Sequence, residues 1–524
     1  MKKICHRIIF LCIVFTCTPI LFASAVDVDE VPHLARRYEP RALNALRGKL
    51  HPTFLGVDHE VLTALFLNRL DKVIIPVLAE DLIFKKISHR IRKKSATWLG
   101  ENIARNGSVL LTLGEDHFFG RVVIDNKVIL FKPAEIDFQA ISYEVDETYE
   151  ISLINDEVIP SEESEEFSSA LESADDGSRI DVMVIYTNGM AGTHPGSQID
   201  TRIQYLIDLA NLSYSNSNIN TELNLVYSFE VNYPDNSPGD MNEALTDLKD
   251  NVGVFSGVED LRTIYSADQV TLLRRFVDEG CGLGYLLTSD NARFAYVIVH
   301  DANKTDGSGY FCSELTYAHE LGHNLGSQHD RANASGSGRF PYSYGYQDPD
   351  ETFRTVMAYN CPGGCPRIEY FSNPNVTYNG KTTGIADPYQ NSADNARTIN
   401  LTRVGMAGYR ASVQANITII SPNGSESLQR GRTYIIKWTS SNVSENMIIE
   451  LYQGGNFDST VSSNALNIGN YSWPIPLSQS LGSDYSIKIK STSDPGIFDE
   501  SDSNFSITER IKAMPWIPLL LLDD

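Results

Sequence analysis

Hydrophobic and polar positions change their rhythm several times along this chain. Residues 26–160 open with mixed helical patterning. After Trp98 they turn to short alternating runs, Ser108–Leu113 and Arg121–Ile124, set off by turn signals such as Asn106-Gly107, which predicts strands. Ile180–Tyr186 is a nearly unbroken apolar run, the mark of a strand buried on both faces. From Ile199 to Leu212 apolar residues fall at Ile203, Leu206, Leu209 and Ala210, the spacing of an amphipathic helix. Leu223–Val231 and Phe294–Val299 add further strands, and strands alternating with helices predict an α/β layer with a mixed sheet. Between Asn416 and Thr508 come only short strand-like runs, Ile417–Ile420, Thr433–Trp438, Met447–Leu451 and Tyr485–Ile489, separated by Gly, Pro, Asn and Ser.

Length makes these changes of rhythm domain boundaries, because 524 residues exceed what one hydrophobic core sustains. The expected architecture is multidomain α+β. A first region at 26–160 has a β-rich second half, an α/β unit fills 178–413, and an immunoglobulin-like β-sandwich occupies 414–509. Alternation places Trp438 and Trp473 of the sandwich in its core. The basic stretch from Lys85 through Arg90 and Arg92 to Lys94 reads as a solvated face. No Lys or Arg occurs between Lys132 and Arg179, and residues 161–166 read SEESEE. Such a run cannot bury apolar surface, so 161–177 is expected to be an accessible linker.

Both ends carry special segments. Lys2, Lys3 and Arg7 precede an apolar run from Ile8 to Phe22 and the small residues Ala23-Ser24-Ala25, the pattern of an export signal cleaved after Ala25. Residues 510–524 end in Pro515-Trp516-Ile517-Pro518 and four leucines, too few to span a bilayer. A formal charge of −24, from 67 acidic against 43 basic residues, repels phosphate backbones and anionic lipid. Nucleic acid and membrane surfaces are therefore poor partners for it, and neither nucleic acid binding nor a membrane span after signal removal is expected. Export leaves four cysteines, Cys281, Cys312, Cys361 and Cys365. An oxidising compartment favours two disulfides among three pairings. Local pairing gives Cys361–Cys365 and hence Cys281–Cys312. A thiolate zinc site is the rival, but no CxxC pair is present.

The chemistry concentrates in His319-Glu320-Leu321-Gly322-His323-Asn324-Leu325-Gly326-Ser327-Gln328-His329-Asp330. Residues i and i+4 share a helix face, so His319 and His323 aim two imidazoles at one point. Glu320 reaches a water held there. Gly326 permits a positive φ that ends the helix and turns the chain, and His329 returns as a third ligand. Three protein ligands leave a fourth position open, as in a catalytic zinc site. Ser313 is the candidate N-cap, and Met357, in Thr355–Tyr359, floors the site. Zinc would bring the pKa of a bound water to about 7, with Glu320 as general base and then acid in peptide hydrolysis. Cys281–Leu286 is the candidate edge strand for substrate. Gly282 and Gly284, flanking Leu283, let another backbone approach closely.

The HExxHxxGxxH pattern with a following methionine resembles the metzincin metallopeptidases. Asp330 after the third histidine looks like the reprolysin (adamalysin-like) branch. Arg367–Pro374 and Ala393–Arg397 look like bacterial secreted members of peptidyl-Asp metalloendopeptidase type. The resemblance implies a secreted zinc endopeptidase acting on proteins or peptides. It also makes residues 26–160 similar to a propeptide. Tyr359 stands two residues after Met357, where astacins and serralysins place a tyrosine that can steady the oxyanion, and Asp330 is expected to orient its neighbours and not to bind metal. Many relatives silence themselves with a propeptide cysteine, but none lies between Ala25 and Cys281. Latency is therefore expected by another route. For acidic substrates Arg367 is one candidate contact and equally a surface charge. SPNGSESLQRGRTYIIKW resembles the Ser-Thr-rich, yeast cell-wall-protein-like module, which implies a cell-wall, polysaccharide or protein ligand for the last domain. The rival reading of the whole is a zinc-shaped, non-catalytic binding protein.

Overall fold

The computed structural model describes residues 31–37, 52–134, 139–151, 156–160, 176–235, 241–275, 280–301, 310–410, 416–441, 443, 446–492 and 495–510. The predicted export signal, most of the acidic linker and the apolar tail beyond Arg510 lie outside these residues.

The first region is almost entirely β. Its strands are β1 (Ala35–Arg37), β2 (Thr53–Val57), β3 (Lys72–Val77), β4 (Glu80–Ile91), β5 (Ala96–Asn102), β6 (Gly107–Leu113), β7 (Phe118–Ile124), β8 (Lys127–Pro133) and β9 (Gln139–Glu144). They form one antiparallel sheet in the order β1-β2-β9-β8-β7-β6-β5-β4-β3. The Leu34 amide donates to the Ile74 carbonyl, and the Ile74 amide to the Pro32 carbonyl, so the first strand's lead-in meets the last strand and the sheet curls shut around Trp98, Phe84 and Phe131. Of the helical patterning expected at its start, the described residues contain one short helix, α1 (His59–Phe66), capped by the Asp58 carboxylate. The basic stretch is not simply a solvated face. It lies on β4 and the following turn, where Arg90 pairs with Glu222, Arg92 with Asp208 and Lys94 with Asp200. Those acids belong to the next unit, and their sequence distance of more than a hundred residues hid the pairing from a local reading.

In that unit β11 (Arg179–Thr187), α2 (Asn188–Thr193), α3 (Gln198–Asn216), β12 (Glu222–Val231), α4 (Met241–Lys249), α5 (Val258–Ile264), β13 (Gln269–Arg274), β14 (Gly282–Tyr285), β15 (Tyr296–His300), α6 (Thr316–Asn324) and α7 (Asn395–Ala407) follow β10 (Glu157–Val158). The sheet runs β10-β14-β15-β13-β11-β12. β12, β11, β13 and β15 are parallel, and β14 is antiparallel to β15. Strand alternation divides the core between the two faces. Ile180, Val182 and Val184 of β11 pack with α3 and α6, whereas Met183 and Ile185 pack with α4 and α5. Leu110 and Phe119 of the first sheet join the core around α3.

The last unit has two facing sheets. One contains Asn416–Ser421, Thr433–Ser441 and Asn470–Pro474; the other is built on Met447–Gln453, Asn456–Ala465, Gly482–Ser491 and Phe505–Thr508. Trp438 and Trp473 are buried between them, and the Trp438 indole donates to Asn467 Oδ1 at 3.0 Å.

Candidate metal centre and catalytic cleft

Helix α6 begins two residues later than Ser313 would cap. Its first flanking residue is Leu315, and Ser313 instead closes the preceding turn through Leu315 N and Thr316 N. The helix ends as the sequence requires. Gly326 has φ +84°, the Ser327 amide reaches back to the Gly322 carbonyl, and the Gly326 amide reaches the His323 carbonyl, a Schellman-type stop. A Cβ at Gly326 would lie 2.7 Å from Arg339 Cβ and 3.1 Å from the Leu287 carbonyl, so neither the backbone angle nor the space admits another residue. The turned chain forms a short strand, Gln328–Asp330, that delivers His329 beside the two helix histidines.

Three imidazoles converge. His319, His323 and His329, together with Asp156, offer one ligand atom each within 4.8 Å of one another, and all four residues are buried. His319 Nδ1 is held by the Val356 carbonyl at 2.9 Å and His323 Nδ1 by the Ser327 carbonyl at 2.9 Å. His329 Nδ1 faces Glu157 Oε2 at 2.9 Å. Each ring is thus oriented through Nδ1 and turns Nε2 inward, the arrangement that prepares imidazoles for a metal. His329 Nε2 lies 3.1 Å from His323 Nε2, close to the roughly 3.3 Å that two nitrogens at about 2.05 Å from a tetrahedral zinc would show. These donors fit zinc, and His319, His323 and His329 are the residues that would hold it.

Asp156 was not singled out by the sequence. Its Oδ2 is 3.1 Å from His319 Nε2, its Oδ1 is 2.8 Å from His329 Nε2, and Oδ1 also accepts from the Tyr359 hydroxyl at 2.7 Å. Burial alone would raise its pKa, but His329 and His319 outweigh that and hold the carboxyl well below its usual range. Immediately after it, β10 pairs in parallel with β14, Glu157 opposite Gly284 and Val158 opposite Tyr285. The Gly284 amide donates to the Asp156 carbonyl at 3.0 Å. From Gly284 onward, the outer edge of the strand expected to receive substrate is therefore already taken by the chain itself.

Glu320 is fully buried between the histidines and β14, and neither carboxylate oxygen has a hydrogen-bond partner among the described residues. Burial, reinforced by the Asp156 charge, pushes its pKa well above the carboxylate range. The two glycines explain how β14 passes so near: a Cβ at Gly282 would sit 2.3 Å from Glu320 Oε1, and one at Gly284 3.0 Å from the Glu320 carbonyl. Beneath the helix Met357 is buried, and a Cβ on Gly322 would meet its sulfur at 2.4 Å. Asp330 points away from the ring cluster; its Oδ2 accepts from the Tyr359 amide at 3.0 Å, so it holds the methionine turn. The Tyr359 ring packs 4.3 Å from that of His329. Cys281–Cys312 and Cys361–Cys365 are both disulfide-bonded. Arg367 is no surface charge: it is 2% exposed and pairs with Glu150.

A helix with two imidazoles one turn apart, a third brought back by a glycine turn and a methionine floor make a buried donor set that suits a zinc ion. Residues 176–372 match Reprolysin_5, metallo-peptidase family M12, and His319, Glu320, His323, His329 and Met357 all lie within the matched part. A peptidyl-Asp metalloendopeptidase of Xanthomonas campestris is 32% identical over 247 residues, covering 46% of this chain and 54% of that protein. One of Stenotrophomonas maltophilia is 29% identical over 331 residues, covering 61% and 74%. Another from Pseudomonas aeruginosa is 30% identical over 257 residues, covering 44% and 40%. The matched region thus spans about half the length of the first of these relatives. Among the described residues no helix is long and apolar enough to cross a membrane.

Proposed function

We propose that the chain is a secreted zinc endopeptidase made as a latent precursor, in which residues 26–160 are the propeptide, 161–177 the release linker and 178–413 the catalytic unit. The observation that carries the reading is the combination of three inward-turned histidine Nε2 atoms with a buried, unpartnered Glu320 carboxylate. A purely structural metal site has no use for such a carboxylate, and its presence favours catalysis over the non-catalytic binding alternative. When bound, zinc acidifies a water and polarises the scissile carbonyl. Glu320 takes a proton from the attacking water as its oxygen adds to the carbonyl carbon. It then gives that proton to the leaving nitrogen as the C–N bond breaks. The Tyr359 hydroxyl, now on Asp156 Oδ1, is placed to steady the charge on the carbonyl oxygen. Substrate backbone adds to the edge of β14 that β10 occupies in the precursor.

Latency follows from the same contacts. Asp156 stands in place of the fourth, open position of a catalytic site, and β10 fills the substrate edge. A carboxylate here does the work that a propeptide cysteine does in many relatives. The relatives' name supports cleavage beside acidic residues. The two-sheet C-terminal unit is read as an immunoglobulin-like module for a cell-wall, polysaccharide or protein ligand. The deciding experiment compares the uncut chain with the chain cut in the linker, using denatured protein as substrate and mass spectrometry of the products. Cutting should raise activity by orders of magnitude; equal activity before and after would remove the latency reading.

A further inference from the structure

The mechanism above makes no use of two guanidinium groups buried beside the metal centre. Arg354 is 0% and Arg367 2% exposed. They lie side by side, joined by a parallel bridge, with the Ile368 amide donating to the Arg354 carbonyl. Arg354 is fastened into the catalytic unit: Nη1 donates to the Ala358 carbonyl at 3.0 Å and Nε to the Cys365 carbonyl at 3.2 Å. The disulfide-closed loop Cys361–Cys365 thus sets its position. One residue of the same segment, Val356, holds His319 Nδ1, and Tyr359 follows Ala358. Arg367's charge is felt at both His319 and Glu320. Arg354 is therefore tied, through Val356 and Ala358, to the segment that holds His319.

The carboxylates that meet these guanidinium groups come from the leader. Glu150, 5% exposed, directs Oε2 to Arg354 Nη2 and Oε1 to Arg367 Nη2, the latter at 3.2 Å. Glu147 stands 3.6 Å from Arg354 Nη2. Burial would raise Glu150's pKa, but the two guanidinium charges hold it below the usual range. Glu147, buried beside an existing negative charge, is pushed up to about 8. Among the described residues Arg367 Nε and Nη1 have no hydrogen-bond partner and are buried, so the pocket has donors to spare even with Glu150 in it. Two buried cations cannot be left without an anion at acceptable cost, yet releasing the leader takes both carboxylates away. A substrate carboxylate would refill the pocket in the bidentate geometry that arginine favours.

We propose that Arg354 and Arg367 form the receptor for an acidic substrate side chain next to the scissile bond, and that Glu150 is its placeholder in the precursor. Glu150 and Asp156 then act together, one in the side-chain pocket and one at the metal centre six residues on. The inference rests on the endopeptidase reading and adds to it the residues that choose the substrate.

Two measurements on the full chain cut in its linker test it. In the first, kcat/KM is compared for matched peptides carrying Asp, Glu, Asn or Ala beside the cleaved bond. Wild type should prefer the carboxylates over Asn by at least ~10-fold, Arg367→Gln should compress that ratio by ~10-fold or more, and Arg367→Lys should restore part of it. Glu320-dependent cleavage with no acidic preference, or a preference untouched in Arg367→Gln, overturns this inference and leaves the protease reading standing. Absence of any Glu320-dependent cleavage sinks the protease reading instead. The second measurement does not depend on activity: leader retained by the cut, zinc-loaded protein is followed by gel filtration. Glu150→Gln alters only the leader and should speed its release by ~10-fold or more, and free peptides ending in an acidic side chain should displace wild-type leader better than their amide counterparts. Release at the wild-type rate, together with equal displacement by both peptides, overturns the pocket assignment even in an inactive preparation.

Discussion

Substituting Gly282 by alanine should separate catalysis from stability. An ideal Cβ there lies 2.3 Å from Glu320 Oε1, 2.6 Å from Cδ and 2.7 Å from Cγ. Non-bonded carbons rest at about 3.5–4.0 Å, so something must move by roughly 1 Å. The backbone of β14 is held by β15 on one side, and Gly282 does not have a positive φ, so the mobile partner is the end of the Glu320 side chain. Swinging a carboxylate aside costs the fold little, about 1 kcal/mol or less for an off-rotamer shift, which in a domain of this size moves Tm by only about 2–4 °C. For catalysis the same shift is large, since a misplacement of about 1 Å costs on the order of 10²-fold in rate. In linker-cut protein we expect kcat reduced about 100-fold, zinc content unchanged and Tm within a few degrees of wild type. Stopped-flow cleavage of a quenched peptide and metal analysis of the same sample give both readouts. A variant that cleaves within about 3-fold of wild type would refute the placement of Glu320 against β14. Loss of zinc along with activity would show that the strand supports the ligands and not the base.

Two further outcomes follow from the leader's contacts. Asp156→Ala in the uncut chain removes a carboxylate contacting two ring nitrogens and the Tyr359 hydroxyl; hydrogen bonds to charged groups contribute about 1.5–3 kcal/mol each, so basal activity should rise at least ~10-fold, and a precursor as silent as wild type counts against the lock. Asp208→Ala breaks the buried pair with Arg92 and strands the Thr97 and Thr112 hydroxyls that donate to Asp208 Oδ2 at 2.6 and 2.8 Å. Breaking such a pair costs about 3–5 kcal/mol, so the leader should leave linker-cut protein faster by more than 10²-fold, and unchanged retention would show that the Asp208 cluster does not hold the first sheet in place.

Local spacing carried the metal centre. His319, His323, the Gly326 turn and His329 are set within eleven residues, and helix periodicity with one positive φ suffices to bring them together. The same holds for β11, α3 and the two tryptophans of the last unit, where alternation or amphipathicity reports burial directly. What stayed illegible depends on distant partners. β13, Gln269–Arg274, is buried along its whole length but begins and ends in polar residues, so its pattern resembles neither a half-buried nor an all-apolar strand. Asp156 lies among other acids with nothing local to distinguish it, and its meaning comes from histidines more than 160 residues away. Arg354 reads as an ordinary charge, and Arg367 as a substrate contact or a surface charge alike, until Glu150, some two hundred residues upstream, is placed between them. Functional charges that are buried by long-range pairing give up no periodic signal.

The central claim is tested most directly by metal analysis and proteolysis of linker-cut protein beside its Glu320→Gln variant. The account predicts about one zinc per chain in both, cleavage of denatured protein by wild type that a chelator abolishes and zinc restores, and no cleavage by the variant. A Glu320→Gln protein that retains zinc and cleaves at the wild-type rate would contradict it.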